Sequence, residues 1–353
     1  MTVHCADCTA FICRGEGKLE ATPEFCPMRG DFPEFKELYS EREGRDLLIR
    51  SAAVEAQGYC RWTRLRELGE FARLMGFQRV GLAHCPDMAL EAQRVAVFFQ
   101  ELKLEPTLPP PSKAGDPLGQ ADLFADEGTD LNLIAGMCVS HEVLFLRATQ
   151  APTASLIARD TRLHHNPVAA LYTSRGYLKD ELFGHWPSEK RPPYQGWETD
   201  TLAQLACDAA EERPIPSSRL AETMAVAHGL GAQHIGVSFC VGFREEAKIL
   251  TCLLETNGFR VSSACCKTGA VPKEEAGIED AGKVRPGRVE MVCNPLAQAE
   301  LLNRDEVEFA LVLGQCVGHD AATLGHLEAP AICLVAKDRV LAHNTVAALY
   351  HHA

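Results

Sequence analysis

The chain has 353 residues, which is enough for two domains of about 150 residues that each bury a core. Its formal net charge is −13, and its lysines and arginines are scattered, so the composition argues against a nucleic-acid surface. The residues after Met1 form no basic-then-apolar leader, and no stretch approaches the ~18 apolar residues of a membrane span. We therefore expect a cytoplasmic protein with no nucleic-acid and no membrane partner.

The cysteine content is the feature of the composition that points to chemistry. Fifteen cysteines occur in a chain with a full complement of aliphatic residues. Disulfide scaffolds with such a density are typical of short secreted chains with small cores. We therefore expect reduced thiols that act as metal ligands or redox groups.

Residues 1–32 are predicted to form a cysteine-rich metal knuckle. Cys5, Cys8, Cys13 and Cys26 lie in a segment with little apolar periodicity, so metal would have to organise it. The spacing does not choose between zinc and an iron–sulfur cluster.

Two helices are predicted after the knuckle, over 46–57 and 62–75, because apolar residues recur there at intervals of three and four. Gly58 and Gly76 mark their ends.

From Val80 onward, short apolar runs alternate with helical stretches, the pattern of a parallel, doubly wound α/β (Rossmann-like) sheet. The predicted strands lie near 79–84, 131–135 and 154–158, and again at 234–239, 259–264, 308–313 and 331–336. The predicted helices of the second half lie at 243–256, 295–303, 318–327 and 344–351, with Asn344 as a plausible N-cap. The domains are expected to span 33–180 and 216–353, joined by a proline-rich connector over 181–215.

The two α/β units are a tandem duplication. Residues 117–172 align without a gap on 295–350, with roughly 24 of 56 positions identical. Reactive residues survive in both copies, as shown by the pairs Cys138 and Cys316, His141 and His319, Asp160 and Asp338, and His165-Asn166 and His343-Asn344.

The match continues upstream, where Cys85 corresponds to Cys240. Copy two then holds 23 residues that copy one lacks, since 76 positions separate Cys240 from Cys316 and 53 separate Cys85 from Cys138. The additional residues lie in a stretch that contains Cys265-Cys266 and Cys293. Copy one has therefore lost two cysteines.

The cysteines of copy two fall where strands end. Ligands of parallel sheets bind outside the carboxyl ends of the strands, because the loops there converge. We therefore predict a metal site formed by Cys240, Cys266, Cys293 and Cys316, hereafter the quartet, with Cys265 as an alternate for Cys266. Four thiolates suit a zinc ion or an iron–sulfur cluster, and simple packing of small apolar cysteines is the alternative.

Several polar neighbours of the quartet are candidates for a role in its chemistry. His319 could be a ligand, a proton shuttle or a hydrogen-bond donor to sulfur, or only a polar residue at a helix start. Lys267 could lower the pKa of a neighbouring thiol, or be solvated. Asp338 and His343 are weaker candidates that could serve only the turn.

The sequence gives no comparable reason to assign a chemical role to the remaining cysteines. Cys252 and Cys333 are expected in the core, Cys207 has no assigned role, and Cys60 is undecided.

Together these residues resemble DUF1847, a family of predicted metal-binding proteins. The resemblance rests on the knuckle, on a helix start at Gly58-Tyr59 with Thr63-Arg64, and on the later motifs Cys240, Cys266-Lys267, Cys293-Asn294-Pro295 with Gln298-Ala299, Gly314 to Asp320, and Lys337 to Asn344. It implies metal binding and supplies no reaction. Relative to that pattern, copy one keeps the knuckle and copy two keeps the quartet.

Three functions are consistent with these patterns. The first is an iron–sulfur protein, most readily 4Fe-4S, with a redox or substrate-binding role toward a small molecule or redox partner. The second is a zinc protein with a structural or regulatory role, and the third is an enzyme of thiol or sulfur chemistry that uses Cys265 and Cys266.

Copy one is expected to be a scaffold, because Cys85 and Cys138 supply two ligands where four are needed. His84, His141 or His165 could complete a mixed site. The two copies are expected to pack as an intramolecular pseudo-dimer.

Overall fold

The computed structural model describes residues 2–10, 12–15, 18–30, 32–183 and 216–350. Most of the predicted connector, including Cys207, lies outside these residues, as does the end of the predicted helix over 344–351. Within them, no helix is both long enough and apolar enough to span a membrane.

The structure has eight described strands. They are β1 Arg79–Ala83, β2 Glu105–Thr107, β3 Leu131–Met137, β4 Thr153–Ala158, β5 His234–Phe239, β6 Arg260–Cys265, β7 Phe309–Leu313 and β8 Ala331–Val335. The described α-helices are α1 Phe35–Leu38, α2 Arg42–Gly58, α3 Arg64–Met75, α4 Ala89–Glu101, α5 Pro117–Asp126, α6 Val139–Ala148, α7 Val168–Thr173, α8 Lys179–Leu182, α9 Arg219–Gly229, α10 Arg244–Thr256, α11 Pro295–Arg304 and α12 His319–His326.

The strands form two parallel sheets of the same order, which confirms the predicted α/β fold. Copy one has the order β2-β1-β3-β4 and copy two the order β6-β5-β7-β8. Helices flank the sheets, so the central strands are buried on both faces and read as continuous apolar runs. All seven residues of β3 and all five of β7 are buried. Because the strands of each sheet are parallel, their carboxyl ends all lie at the same edge of that sheet.

Three local predictions were wrong. The short strand β2 was missed, and its Pro106 is tolerated because β2 is an edge strand. Thr345–Leu349 is a 3-10 helix, and the Asn344 side chain does not cap it. Cys252 is exposed, because Leu250, Leu253 and Leu254 occupy the buried face of α10. Cys333 is buried in β8, as predicted.

The two copies are interlocked by two buried arginines in equivalent positions. Arg64, at the start of α3, donates to Ser155 O of copy one at 2.6 Å and to Gln315 O of copy two at 3.2 Å. It also pairs with buried Asp320 of copy two. The backbone N–H of Arg64 donates to Asp338 at 2.8 Å.

Arg219, at the start of α9, repeats these contacts with the copies exchanged. It donates to Cys333 O of copy two at 3.2 Å and to Met137 O of copy one at 3.0 Å. It pairs with buried Glu142 at 2.5 Å, and its N–H donates to Asp160 at 2.8 Å. The helix that precedes each copy in sequence is thus anchored at the strand edge of the other copy.

The N-terminal segment packs against copy two, although it precedes copy one in sequence. Val3 O accepts from Ser263 N at 2.6 Å, and Ala6 N donates to Ser263 Oγ at 3.0 Å, so the segment runs beside β6. His4 pairs with Ser263 in a parallel bridge. The knuckle therefore belongs structurally with the quartet.

Candidate metal centres

The quartet cysteines lie in four loops at the carboxyl edge of the copy-two sheet. Cys240 follows β5, Cys266 follows β6, Cys293 precedes α11 and Cys316 follows β7. Each is at most 5% exposed. The side chain of Cys240 lies near those of Cys316 and Cys266, and the side chain of Cys266 lies near that of Cys293. The structure therefore brings the four predicted thiols into one continuous group.

Backbone N–H groups point at two of these sulfurs. Val241 N donates to Cys266 Sγ at 3.2 Å, and Gly242 N donates to Cys240 Sγ at 3.4 Å. Hydrogen bonds of this kind stabilise thiolates and tune the potential of sulfur-ligated metal centres.

Cationic side chains surround the quartet. Lys337 Nζ lies 2.8 Å from Cys240 Sγ and 3.5 Å from Cys316 Sγ, and Arg339 donates to Cys316 Sγ at 3.0 Å. Burial opposes the charged form of Lys337, but the charges of Cys240 and Cys316 outweigh it and raise the pKa of the ammonium. A buried ammonium is costly without an anionic partner, so the site is built for negative sulfur.

Lys267 is a second ammonium of this kind. It donates to Met291 O at 2.6 Å and hydrogen-bonds Cys293. Burial alone would lower its pKa, yet the charges of Cys293 and Cys266 raise it. Lys267 is therefore a partner of the thiols and not a solvated surface lysine.

His319 lies between two quartet sulfurs. The imidazole is 4% exposed and contacts Cys293 and Cys316. Burial opposes its protonation, but the charge and hydrogen bonds of those thiols outweigh it and raise the pKa of His319 to about 10. Its Nε2 makes no hydrogen bond of ordinary geometry. A buried polar atom left without such a partner among thiols fits a site completed by a metal group.

Two carboxylates complete the surroundings. Glu55 on α2 accepts from Arg339 at 2.6 Å and from the Cys316 thiol at 3.5 Å. Glu67 on α3 pairs with Arg339 at 3.2 Å, and burial raises the pKa of Glu67 to about 8.

Sequence reasoning missed Glu55, Lys337 and Arg339 as neighbours of the quartet. Lys337 and Arg339 flank Asp338 in the duplicated motif, which was the available signal. Asp338 itself accepts from Val340 N and Leu341 N and holds the start of α3, so it serves the turn. His343 accepts from Asp338 N at 3.2 Å within the same turn.

The two strand edges differ in how closely their possible metal ligands approach one another. With metal–sulfur distances of ~2.3 Å, two sulfurs on one zinc ion are at most ~4.6 Å apart. Among the described residues, the group of three ligand atoms that all lie within 4.8 Å of one another is Cys85, Cys138 and His141, and the quartet forms no such group. The ligand atoms of copy one are therefore closer together than the quartet sulfurs are.

The knuckle adjoins the quartet. Cys5 Sγ accepts from the backbone N–H of Cys265, whose own thiol contacts that of Cys266. Burial, followed by the charges of Cys26 and Cys8, raises the pKa of Cys13 to about 12. The two cysteine sets thus meet at the end of β6.

Copy one brings together Cys85, Cys138 and His141, which is one of the three histidines considered for a mixed site. Cys85 Sγ lies 3.3 Å from His141 Nδ1 and accepts from Cys138 N at 3.4 Å. The other two histidines considered are engaged elsewhere. His84 Nδ1 lies 2.9 Å from Cys85 O, and His165 accepts from Asp160 N at 3.3 Å.

These three side chains shift one another's pKa values. A hydrogen bond from Cys85, with a further contribution from His141, lowers the pKa of Cys138 well below its ordinary value despite burial. The hydrogen bond to Cys138 raises the pKa of His141. Cys85, Cys138 and His141 therefore lie close enough together to influence one another's proton binding.

The fold and these sites define a cysteine-rich α/β protein whose geometry supports metal binding. The chain belongs to DUF1847, described as a protein family of unknown function, whose model matches residues 28–108, 109–156 and 185–334. It is 33% identical over 157 residues, 44% of this chain and 79% of the relative, to uncharacterized protein MJ0455 of Methanocaldococcus jannaschii.

Among solved structures, Dph2 from Pyrococcus horikoshii with a 4Fe-4S cluster aligns with this chain at 12% identity and a TM-score of 0.24. The alignment covers 83% of this chain and 91% of Dph2. At this score the likeness supports no argument about fold or function.

Proposed function

We propose that the protein carries an iron–sulfur cluster of the 4Fe-4S type on Cys240, Cys266, Cys293 and Cys316 and acts in redox or substrate-binding chemistry at that cluster. The observation that carries this proposal is the position of four buried thiols in four loops at one sheet edge, with Cys240 next to Cys316 and Cys266, and Cys266 next to Cys293. A cluster bound there would supply one-electron redox chemistry.

The charges around the quartet support a strongly anionic group. Lys337, Arg339 and Lys267 contact the sulfurs or their immediate neighbours, and His319 adds a fourth cationic group. Their side chains would hold the thiolate charge in a water-poor site and favour the reduced state of a bound cluster.

The thiol-chemistry alternative has less support. Cys266 accepts from Val241 N and contacts Cys240 and Cys293, so its thiol is committed to the quartet. The zinc alternative for the quartet predicts a tighter convergence of the sulfurs than the structure has.

The test is anaerobic purification with iron, sulfide and zinc analysis, followed by reconstitution with ferrous iron and sulfide. We expect a brown protein whose visible absorption bleaches on reduction, with about four iron and four sulfide per quartet. A colourless protein that binds only zinc at these cysteines would overturn the proposal.

Variants assign the cluster to the quartet. Cys266→Ser and Cys293→Ser should each lose the visible absorption of that cluster, whereas Cys252→Ser, on the exposed face of α10, should keep it. A Cys8→Ser/Cys13→Ser protein serves as the background, because it removes any contribution from the knuckle.

A further inference from the structure

The strand edge of copy one holds a compact ligand group that is separate from the quartet. The Sγ atoms of Cys85 and Cys138 and a ring nitrogen of His141 all lie within 4.8 Å of one another. Cys85 follows β1, Cys138 follows β3, and His141 lies in the first turn of α6. Two loops that follow strands and the first turn of one helix therefore hold the three possible ligands in place.

The counterparts of these residues in copy two belong to the quartet region. Cys85, Cys138 and His141 correspond to Cys240, Cys316 and His319 by the duplication. The surroundings nevertheless differ. Lys337 of copy two contacts both sulfurs, whereas its counterpart Arg159 is held by Asp87 at 2.6 and 2.9 Å. In copy one that cation hydrogen-bonds a carboxylate, and the two thiols lie against an imidazole.

A carboxylate also lies beside the group. Glu222 on α9 accepts from Val139 N at 3.1 Å, which anchors it next to Cys138. Its copy-two counterpart, Glu67, is paired with Arg339. Arg219 holds the start of α9 at this edge. The same helix therefore fixes the position of Glu222 beside Cys138.

We propose that Cys85, Cys138 and His141 bind a single zinc ion, with the fourth coordination position beside Glu222 open to water or an external ligand. Two thiolates and one imidazole are a donor set that zinc takes, and ligand atoms within 4.8 Å suit one ion. Three protein ligands with an open position are the arrangement of catalytic zinc sites. Cys138 and His141 are both partly exposed, so such a ligand has access.

The ion's place is tested by alkylation mapping in the full-length protein, which needs no variant. Metal-free protein is treated with iodoacetamide with and without Zn²⁺, and each cysteine is quantified by mass spectrometry. Zinc should slow alkylation of Cys138 by about tenfold or more, because a sulfur bound to the ion is shielded from iodoacetamide. Exposed Cys60 and Cys252 are internal controls and should react at unchanged rates. Equal reactivity of Cys138 in both samples would overturn the site.

Variants separate this site from the quartet. Cys138→Ser and His141→Ala should each lose one equivalent of zinc while iron and sulfide stay constant, and Cys60→Ser should lose none. A loss of iron in Cys138→Ser with zinc unchanged would contradict the assignment. A failure of the iron proposal alone would leave the zinc stoichiometry and Cys138 protection intact, so the two proposals fail separately.

The open position is tested with Co²⁺ in place of zinc, in a Cys8→Ser/Cys13→Ser/Cys266→Ser background that removes the other thiolate sites. The visible spectrum of the cobalt protein should change on titration with imidazole or azide, which enter an open position. An unchanged spectrum would show that the coordination is closed, and the Glu222→Gln variant would then show whether that carboxylate closes it.

Discussion

The two strand edges of this protein share a duplicated frame but differ in what their loops supply. Copy two offers Cys240, Cys266, Cys293 and Cys316, with Lys337 against the sulfurs. Copy one offers Cys85, Cys138 and His141 without the 23-residue addition. One sheet edge can therefore present different sets of thiol and imidazole groups, depending on the loop between its second and third strands.

The frame itself is nearly symmetric. Arg64 and Arg219 make equivalent contacts with the copies exchanged, although Asp320 of copy two is replaced by Glu142 in copy one. Each arginine touches backbone carbonyls of both copies. The frame therefore depends on both copies, even if only one were to carry a redox centre.

The largest expected effect comes from breaking the interlock. Glu142→Ala and Asp320→Ala each leave a fully buried guanidinium without its carboxylate, which costs about 3 to 5 kcal/mol of unfolding free energy. Chemical denaturation of the metal-free protein should give similar losses for the two variants if the frame is symmetric.

The control for this prediction removes both charges. Glu142→Leu with Arg219→Met should cost less than Glu142→Ala, because no unpaired charge remains buried. A loss below about 1 kcal/mol for either single variant would mean that the interlock does not stabilise the pair of copies.

The second prediction concerns the knuckle, which adjoins copy two. Cys8→Ser/Cys13→Ser should release one metal centre and make residues 1–30 sensitive to limited proteolysis, because so few apolar groups cannot offset the ordering entropy of ~1 to 2 kcal/mol per residue. The two α/β copies should stay folded. Full metal content with an intact N-terminus would show that the knuckle is not a metal site.

The third prediction compares equivalent cations. Lys337→Met removes a charge in contact with Cys240 and Cys316, so the reduction potential of the quartet centre should fall by about 60 mV, or roughly 1.4 kcal/mol for one electron. Arg159→Met should leave that potential unchanged, because Arg159 is held by Asp87 in the other copy. Equal shifts in both variants, measured by redox titration, would contradict the difference between the two edges.

The smallest expected effect is a pH dependence at the amino edge of copy two. His234 accepts from Arg260 at 2.8 Å through Nδ1 and contacts Ser262 Oγ at 2.8 Å through Nε2. Burial, followed by the charge of Arg260, lowers the pKa of His234 below its ordinary value. The unfolded chain therefore takes up a proton below pH ~6.5 while the folded protein does not, and stability is lost as pH falls through that range.

The measurement is chemical unfolding at pH 7 and at pH 5.5 for the wild type and His234→Gln. The wild type should lose up to about 1 kcal/mol more than the variant over this interval. Copy one has Arg79 at the equivalent position, so Arg79→Gln should not change the pH slope. Identical slopes for the wild type and His234→Gln would remove His234 as the sensor.

The sequence alone predicted the sheets and the shared strand edge of the quartet cysteines, for physical reasons, whereas metal binding by these cysteines stays a prediction. Buried parallel strands give continuous apolar runs, and the quartet followed from the position of four cysteines at strand ends. Lys337 and Arg339 lie in the duplicated motif, but their contacts with Cys240 and Cys316 depend on loop conformation that no local pattern encodes.

Contacts between distant parts of the chain were not predictable in the same way. Glu55 reaches Cys316 across 261 positions, and the knuckle pairs with β6 of copy two although it precedes copy one. Thr63-Arg64 recurs as Ser218-Arg219, which was a signal that both arginines have equivalent roles. The sequence pattern does not show, however, that each arginine binds the other copy. Cys252 was predicted to lie in the core because its neighbours in sequence are apolar. That apolar run does not show which face of α10 carries Cys252.

We propose different metal chemistry for the two copies, namely a polynuclear iron centre on the quartet and a single zinc ion in copy one. X-ray absorption at the iron and zinc edges tests it most directly, on anaerobically reconstituted Cys8→Ser/Cys13→Ser protein. We expect iron with sulfur ligands and iron–iron scattering, and zinc with a mixed shell of sulfur at ~2.3 Å and nitrogen at ~2.0 to 2.1 Å. Iron without a neighbouring iron, or zinc surrounded by four sulfurs, would contradict it.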